Sequence, residues 1–496
     1  MRTDFPKNHR RAAPSARWTL LASALLVALG GCAALPPESS DSSDPSEFSA
    51  VAVPNDWSAA PASVTSAATP LAQWWLRFDD AQLSRLVSDA LHANTSVRSA
   101  QAALRQARAL RDVSAAALWP TLGSSASAQR GKSDGNPASN SFSAGLDASW
   151  ELDVFGGKRS ALDASEASAR ASAASLADVQ VSIAAEVALA YITLRDAQQR
   201  LEIASDNLAS QQQTLQITRW RLQAGLATEL DVEQARTSAE QTNALLPPLQ
   251  TTIAQTAHAL AVLSGRPPAS LSTQLAAHGP LPQAPGDLAL SLPADTLRQR
   301  PDVRAAEHQV SAALANVAQA EAARQPNFTI DGSLGLTALT LGALGDGASV
   351  MTSLLGSVTL PVFDGGAARA QVRAQQAALD QATIAYQAAI LSALKDVENA
   401  LVALDGDRQR LSRLQRAAQA AGNAAALARQ RYSSGLVDFQ VVLETQRTQL
   451  VTQESVAISS ANVSTDHVQL YKALGGGWQP TPADLSINAA TRKSTP

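Results

Sequence analysis

Over residues 141–154 apolar and polar side chains alternate. Phe142, Ala144, Leu146, Ala148, Trp150, Leu152 and Val154 fall on one side, and Ser143, Gly145, Asp147, Ser149, Glu151 and Asp153 on the other. A period of two marks a strand with one dry and one wet face. The alternation stops at Phe155-Gly156-Gly157, and the next stretch, to about residue 223, holds no proline. There Val187, Leu194, Leu201, Leu208, Leu215 and Leu222 recur every seven residues, with Ala190, Ala197 and Ala204 between them. That spacing predicts a helix of roughly 65 residues, about 100 Å long at 1.5 Å per residue, aligned with others as in a coiled coil.

The same order is written twice. Displaced by 206 to 210 residues, Val97 falls on Val303, Pro120 on Pro326, Phe155-Gly156-Gly157 on Phe363-Asp364-Gly365-Gly366, and Gly225-Leu226 on Gly435-Leu436. A unit of about 200 residues is too long for a solenoid repeat. Each copy reads as a helix of about 30 residues stopped by a proline, two strands, a long helix, a Gly-Leu turn and a returning helix. The strands are expected at about 121–130, 141–155, 327–338 and 349–363, and the returning helices near Thr228 and Asp438. In the second long helix Ile390, Val397, Leu404 and Leu411 carry the heptad, and in the first returning helix Pro247-Pro248 forces a break. The domains are therefore a first repeat over 71–292 and a second over 293–478, followed by a tail, 479–496.

Composition agrees with long helices packed through small side chains: 4% of residues are aromatic and 17% charged. The net charge is −4; the first 31 residues hold Arg2, Lys7, Arg10, Arg11 and Arg17 against Asp4, leaving −8 for the rest and no basic patch for nucleic acid. That basic leader runs into the apolar stretch 18–29, too short to span a bilayer as a helix. It ends in Leu29-Gly30-Gly31-Cys32, the chain's only cysteine. This resembles the lipobox of bacterial lipoproteins, against the alternative of an ordinary secretory signal with a chance cysteine. Residues 1–31 are then a removed signal peptide, Cys32 carries N-acyl and S-diacylglycerol lipid, two or more chains anchor stably, and 32–70 is a Pro/Ser/Ala-rich tether. A lone cysteine excludes an internal disulfide. No segment beyond the leader is expected to approach a transmembrane helix.

Four half-apolar strands cannot close a sheet alone, and an open sheet leaves sticky edges. Within a membrane only helices or closed barrels satisfy the backbone, and strands of 10–14 residues are long enough to cross it tilted. Closure by oligomerisation gives a barrel with lipid outside and water inside, and the helices must project into an aqueous space. Phe155, Gly156, Gly157, Phe363, Gly365 and Gly366 are thus placed at the barrel-to-helix transition, with the rings in an interfacial belt.

Five segments carry a family resemblance: WWLRFDDAQLSRLVSDAL (74–91), WELDVFGGKR (150–159), LSGRPP (263–268), RPDVRAAE (300–307) and LPVFDGGAARA (360–370). With the duplication, they resemble the TolC-like outer membrane efflux proteins, in the lipoprotein (NodT-type) branch serving resistance–nodulation–division pumps. The resemblance implies a mainly α protein with a membrane β-barrel: a homotrimer whose twelve strands form one barrel continuous with a periplasmic α-helical barrel. It implies an outer membrane channel passively conducting small molecules such as drugs, and docking to an inner-membrane pump through a periplasmic adaptor. The adaptor-docking tips would be Arg219–Leu230 and Arg429–Gln440, with Gly225, Leu226, Thr228, Gly435, Leu436 and Asp438 at the turns; any helical hairpin also needs a glycine turn. Relatives often carry acidic residues before the second tip. Here Leu411–Tyr432 holds no acid but Arg413, Arg416, Arg429 and Arg431, which makes Arg429 and Arg431 candidates for an anion-favouring pore constriction, with Glu229, Asp231 or Asp438 open as substitutes.

Enzyme patterns fail on context. Gly131-Lys132-Ser133-Asp134-Gly135 fits G-x-S-x-G but lies between two strands, not at a strand-to-helix elbow. Gly342–Gly347 lacks dinucleotide spacing, and the six histidines have no ligand spacing. No catalytic residue, metal or cofactor beyond the lipid is expected. The rival readings are a type I protein-secretion conduit and a structural coiled-coil lipoprotein, the latter leaving four amphipathic strands without a purpose.

Overall fold

The computed structural model describes residues 52–58, 71–132, 137–283, 293–345 and 350–478. The signal peptide, Cys32 and the tail 479–496 lie outside the described residues, as do most of the tether and part of both interstrand loops.

The two copies of the repeat are α1 (Ala81–Ala93), α2 (Thr95–Ala116), β1 (Thr121–Gly131), β2 (Ser139–Leu152), α3 (Gly157–Gln223), α4 (Glu229–Asn243) and α5 (Leu246–Leu263), then α6 (Pro301–Ala322), β3 (Asn327–Ala338), β4 (Val350–Thr359), α7 (Ala367–Ser433) and α8 (Phe439–Ala473). Both long helices run for 67 residues. The predicted break at Pro247-Pro248 is present, with the prolines in the first turn of α5 where no N–H is needed.

The helices before the strands are shorter than the 30 residues expected: α2 and α6 have 22 each. In the first repeat Asn94 stops α1 and caps α2, its side chain accepting from the N–H groups of Ser96 (2.8 Å) and Val97 (3.4 Å). In the second, Arg300 stays extended ahead of Pro301, which opens α6. At the other end each helix stops three or four residues before its proline. Strands β2 and β4 also end earlier than expected, at Leu152 and Thr359. Asp153 turns away to serve the next helix, and Pro361 has no N–H to extend the ladder.

The four strands form one antiparallel sheet in the order β1-β2-β3-β4. Its register carries an apolar face and a polar face across the strands. Leu122 lies opposite Ala148, Leu146 opposite Leu334, Trp150 opposite Ile330, Leu152 opposite Phe328, and Phe328 opposite Val358. The other face pairs hydroxyls and carboxylates: Ser127 with Ser143 (2.8 Å), Ser149 donating to Asp331 (2.6 Å), Ser333 with Ser353 (2.8 Å) and Thr329 with Ser357 (2.5 Å). Only Met351 and Leu355 of β4 place large apolar groups there. Among the described residues the apolar face is left largely uncovered: Leu122 is 73% exposed and Leu354 82%.

The core lies among the helices. Trp74, Trp75, Phe78, Leu83, Leu86 and Val87 pack against Ile183–Leu194 of α3 and Leu260 of α5. This explains a departure from expectation: α3 contains an 18-residue window with mean hydropathy 1.4, apolar enough to cross a membrane by composition. Ile183, Ala184, Val187, Tyr191 and Leu194 in that region are buried against protein, as in a core helix. The heptad seam is buried at Val187 and Leu194 and opens toward the turn, where Leu222 is exposed. Repeat signatures prove to be fastenings of this core. A Cβ on Gly265 of LSGRPP would sit 2.5 Å from the Ala93 carbonyl, and Arg266 pairs with Asp89 (2.7 Å). Arg300 of RPDV is buried, bound to Asp302 (2.6 Å) and the Ala473 carbonyl (2.9 Å).

Candidate functional site

The strand-to-helix corners use glycine and aspartate together. Gly156 (φ 77°) and Gly366 (φ 91°) adopt the left-handed conformation that begins each long helix. Neither has a side chain to cap the helix, so a carboxylate nearby does it. Asp153 accepts from the N–H groups of Lys158 (2.9 Å) and Arg159 (3.0 Å). Asp364 accepts from Gly366 and Ala368 (2.8 Å each). The Ala368 and Gly366 amides hold the Asp364 carboxyl below its ordinary value. The aspartate precedes Phe155 in one copy and follows Phe363 in the other, so the two corners are related in role and not in spacing. Phe155 is half exposed, 6.4 Å from the Phe328 ring, and Phe363 projects almost fully. Gly157 and Gly365 complete the two corners.

At the far ends of α3 and α7 the chain reverses through the same turn twice. The N–H of Gly225 bonds the Leu222 carbonyl (2.9 Å) and that of Leu226 the Arg221 carbonyl (2.7 Å). The N–H of Gly435 bonds Tyr432 (3.0 Å) and that of Leu436 bonds Arg431 (2.9 Å). Both glycines have positive φ, 72° and 74°, and a Cβ on either would meet nothing within 4 Å. The requirement is therefore conformational, as in a Schellman cap. Leu226 and Leu436 are each about 70% exposed at the apex.

The returning helices start differently. Thr228 accepts from the Asp231 N–H (3.2 Å) while Asp231 accepts from the Thr228 N–H (2.8 Å), a reciprocal capping box. Asp438 makes no side-chain cap bond to α8 among the described residues. The second tip is held by packing instead: Tyr432 packs with its ring tilted against Phe439, centroids 5.3 Å apart, in a cluster with Ala235, Ala428 and Val442.

The two tips are fastened to one another. Arg221 lies over the Tyr432 ring, 4.3 Å from its centroid, and donates to the Tyr432 carbonyl (3.1 Å). Farther from the apex Gln446 donates to Thr214 (3.1 Å) and Asn207 to Gln453 (2.8 Å). Arg429 donates to Ser210 Oγ (3.1 Å) and so spans from α7 to α3, whereas Arg431 presents an exposed side chain. Of the three acids left open as substitutes, Asp231 is occupied in its capping box, and Glu229 and Asp438 are exposed. Arg221 and Tyr432 were not singled out by the sequence; their contact spans 211 residues, and only the repeat alignment places both at a tip.

A sheet dry on one face and polar on the other, set on helices far longer than a membrane is thick, defines a membrane channel with an aqueous extension. The chain belongs to the outer membrane efflux protein family, whose model matches residues 86–266 and 292–476. It is 32% identical to the outer membrane protein OprJ of Pseudomonas aeruginosa over 92% of this chain and 95% of that protein. It is 30% identical to the probable outer membrane lipoprotein SilC of Salmonella typhimurium, over 92% and 98%. Its fold matches the solved outer-membrane channel OprN with a TM-score of 0.82 at 36% identity, covering 86% of this chain and 98% of that one. The protein is an outer membrane efflux channel.

Proposed function

We propose that three copies of the chain join β4 of one to β1 of the next, closing a twelve-stranded barrel, and that α3–α5 and α6–α8 of the three line one continuous periplasmic conduit. The observation that carries this reading is the sheet itself. It has an even number of strands, so its two edges run antiparallel when brought together. The edges are matched in length at 11 and 10 residues, and both faces already have the polarity a water-filled barrel needs. The two tips, with Gly225, Leu226, Thr228, Gly435, Leu436 and Asp438, are the docking ends for a periplasmic adaptor, which links the channel to an inner-membrane pump of the resistance–nodulation–division type. Cargo is small molecules moving passively down the conduit. Cys32 carries the lipid anchor. Arg429 and Arg431 line the resting constriction, and Arg431 is the better placed to face ions because Arg429 is spent on Ser210.

Cysteine cross-linking tests the closure. Cys32 is the only native cysteine, so a pair such as Ser125→Cys on β1 and Ser353→Cys on β4 reports contacts between copies; neighbouring positions on β4 scan the register. Disulfide-linked trimers from at least one register are expected, and a scan yielding only monomers would overturn the closure. Mass spectrometry of the mature N-terminus tests the lipid: a triacylated Cys32 is expected, and an unmodified residue would refute it.

A further inference from the structure

The stretch read as a loose tether is not loose at its far end. Trp57 is 7% exposed, set into a cluster of Val397, Ala400, Leu401 and Leu404 of α7 with Leu470 and Leu474 at the end of α8. Beside it the Ser58 N–H and hydroxyl both donate to the Glu398 carboxylate, at 2.8 Å each. These contacts join residues 340 apart in sequence. Trp57 is the one aromatic ring of that cluster among the described residues, whereas the cluster at the base of the first hairpin has Trp74, Trp75, Phe78 and Tyr191 and also takes Tyr471 of α8.

The same α7–α8 pair also borders a hollow. A cavity of about 430 Å³ opens there, lined by Asp396 and Asn399 of α7, Asp466 and Lys472 of α8, Asp178 of α3 and Arg300. Ala400 and Ala473 belong to both sides: they touch the Trp57 cluster and line the cavity. Two alanines thus stand between the cluster and the cavity, and the cluster's one aromatic ring among the described residues comes from outside the hairpin. From Leu404 the helix α7 runs unbroken to Ser433, about 44 Å at 1.5 Å per residue, where the second tip begins. A continuous helix carries a displacement at its base to its end.

We propose that residues 52–58 are a clasp on the second hairpin: seated, Trp57 holds the base of α7 and α8 together and keeps the second tip in its resting position, and withdrawn, it frees that tip ahead of the first. The asymmetry follows from the clusters, because Trp57 is set against α7 and the end of α8, whereas Trp74, Trp75 and Phe78 pack against α3. The proposal concerns packing within one copy, so its readout requires neither transport nor a partner.

Hydrogen exchange of the full-length protein in lipid nanodiscs tests it. In Trp57→Ala, amides of 397–404 and 470–474 are expected to exchange about tenfold faster or more. Those of the second tip, 429–442, should accelerate with them, while the first tip, 219–232, stays within about twofold of the parent. Trp57→Phe, which refills most of the site, should restore the parent pattern. If Trp57→Ala does not fold, Trp57→Leu is compared over the same three windows, with the same ordering expected at smaller amplitude. A base that loosens without the second tip, two tips that respond equally, or no change in any window would each overturn the clasp.

Discussion

The two Gly-Leu tips share a turn but differ in what holds them. The first closes on itself: its glycine turn is followed at once by the Thr228–Asp231 capping box. The second has the same glycine turn and no side-chain cap on α8; Tyr432, Phe439 and the guanidinium of Arg221, borrowed from the first tip, hold it. A self-contained tip beside a dependent one means that loosening one contact, Arg221 on Tyr432, releases the second while leaving the first intact. The bases differ in what supplies their rings: Trp74, Trp75 and Phe78 pack against α3, and Trp57 is set against α7 and the end of α8.

The largest break in this comparison should come from Arg221→Ala. It removes a cation–π contact and a charged hydrogen bond, together about 2 kcal/mol. Amide exchange over 432–442 should rise roughly thirtyfold, with little change over 226–239; equal acceleration in both stretches would show that the tips are not separately held. Next, Gly225→Val and Gly435→Val should each cost about 1–2 kcal/mol from the left-handed backbone alone, since a Cβ at either meets no neighbour. Here the two tips should respond alike, and the paired variant should lose efflux in a drug-susceptibility assay while trimers persist. Thr228→Ala then sharpens the contrast: about 1 kcal/mol is expected at the first tip, against a few tenths for Asp438→Ala at the second. An Asp438 effect as large as that of Thr228 would reveal a cap on α8.

How much of this was readable in the sequence depends on range. Period-two strands, heptads and the Gly-Leu turns are local patterns, and the 67-residue helices and the two-faced sheet follow from them. The stops at Asn94 and Arg300-Pro301 were legible too, as an N-cap asparagine before Thr-Ser and a proline at a helix start. Taking each copy as one helix of about 30 residues up to Pro120 or Pro326 passes over them. The corner aspartates were half legible: acid near a helix start is a known signal, but its changed offset between copies hid the shared role. Arg221 on Tyr432 and Trp57 on α7 join residues hundreds apart, and no periodicity reports such contacts.

A further expected effect is one of pH, at the base of the second hairpin. Burial, with Asp407 adding its charge and a hydrogen bond, pushes the Asp466 carboxyl up to about 7. Burial next to Arg408 and Arg77 pushes neighbouring His467 down to about 4. The signs oppose. Asp466 destabilises the fold when ionised, so its contribution improves as pH falls from about 7 toward its unfolded value of 3.8. His467 must stay neutral, so stability is lost as pH falls from its unfolded value of 6.5 toward about 4. The parent should therefore show a shallow stability profile between pH 7 and 5. Asp466→Asn should be more stable at pH 7.5 and fall more steeply below pH 6.5, as thermal melts at stepped pH would show; a parallel profile would mean that Asp466 titrates as an ordinary carboxylate.

The central claim is that the open sheet closes between three copies and continues as a helical tube. Electron microscopy of the mature protein, purified from outer membranes in mild detergent, tests it most directly. A hollow particle with three-fold symmetry, about 130–140 Å long from the helix rise and a tilted-strand barrel, is the predicted result. A solid rod, or a single-copy particle with its apolar sheet face covered by detergent, would contradict it.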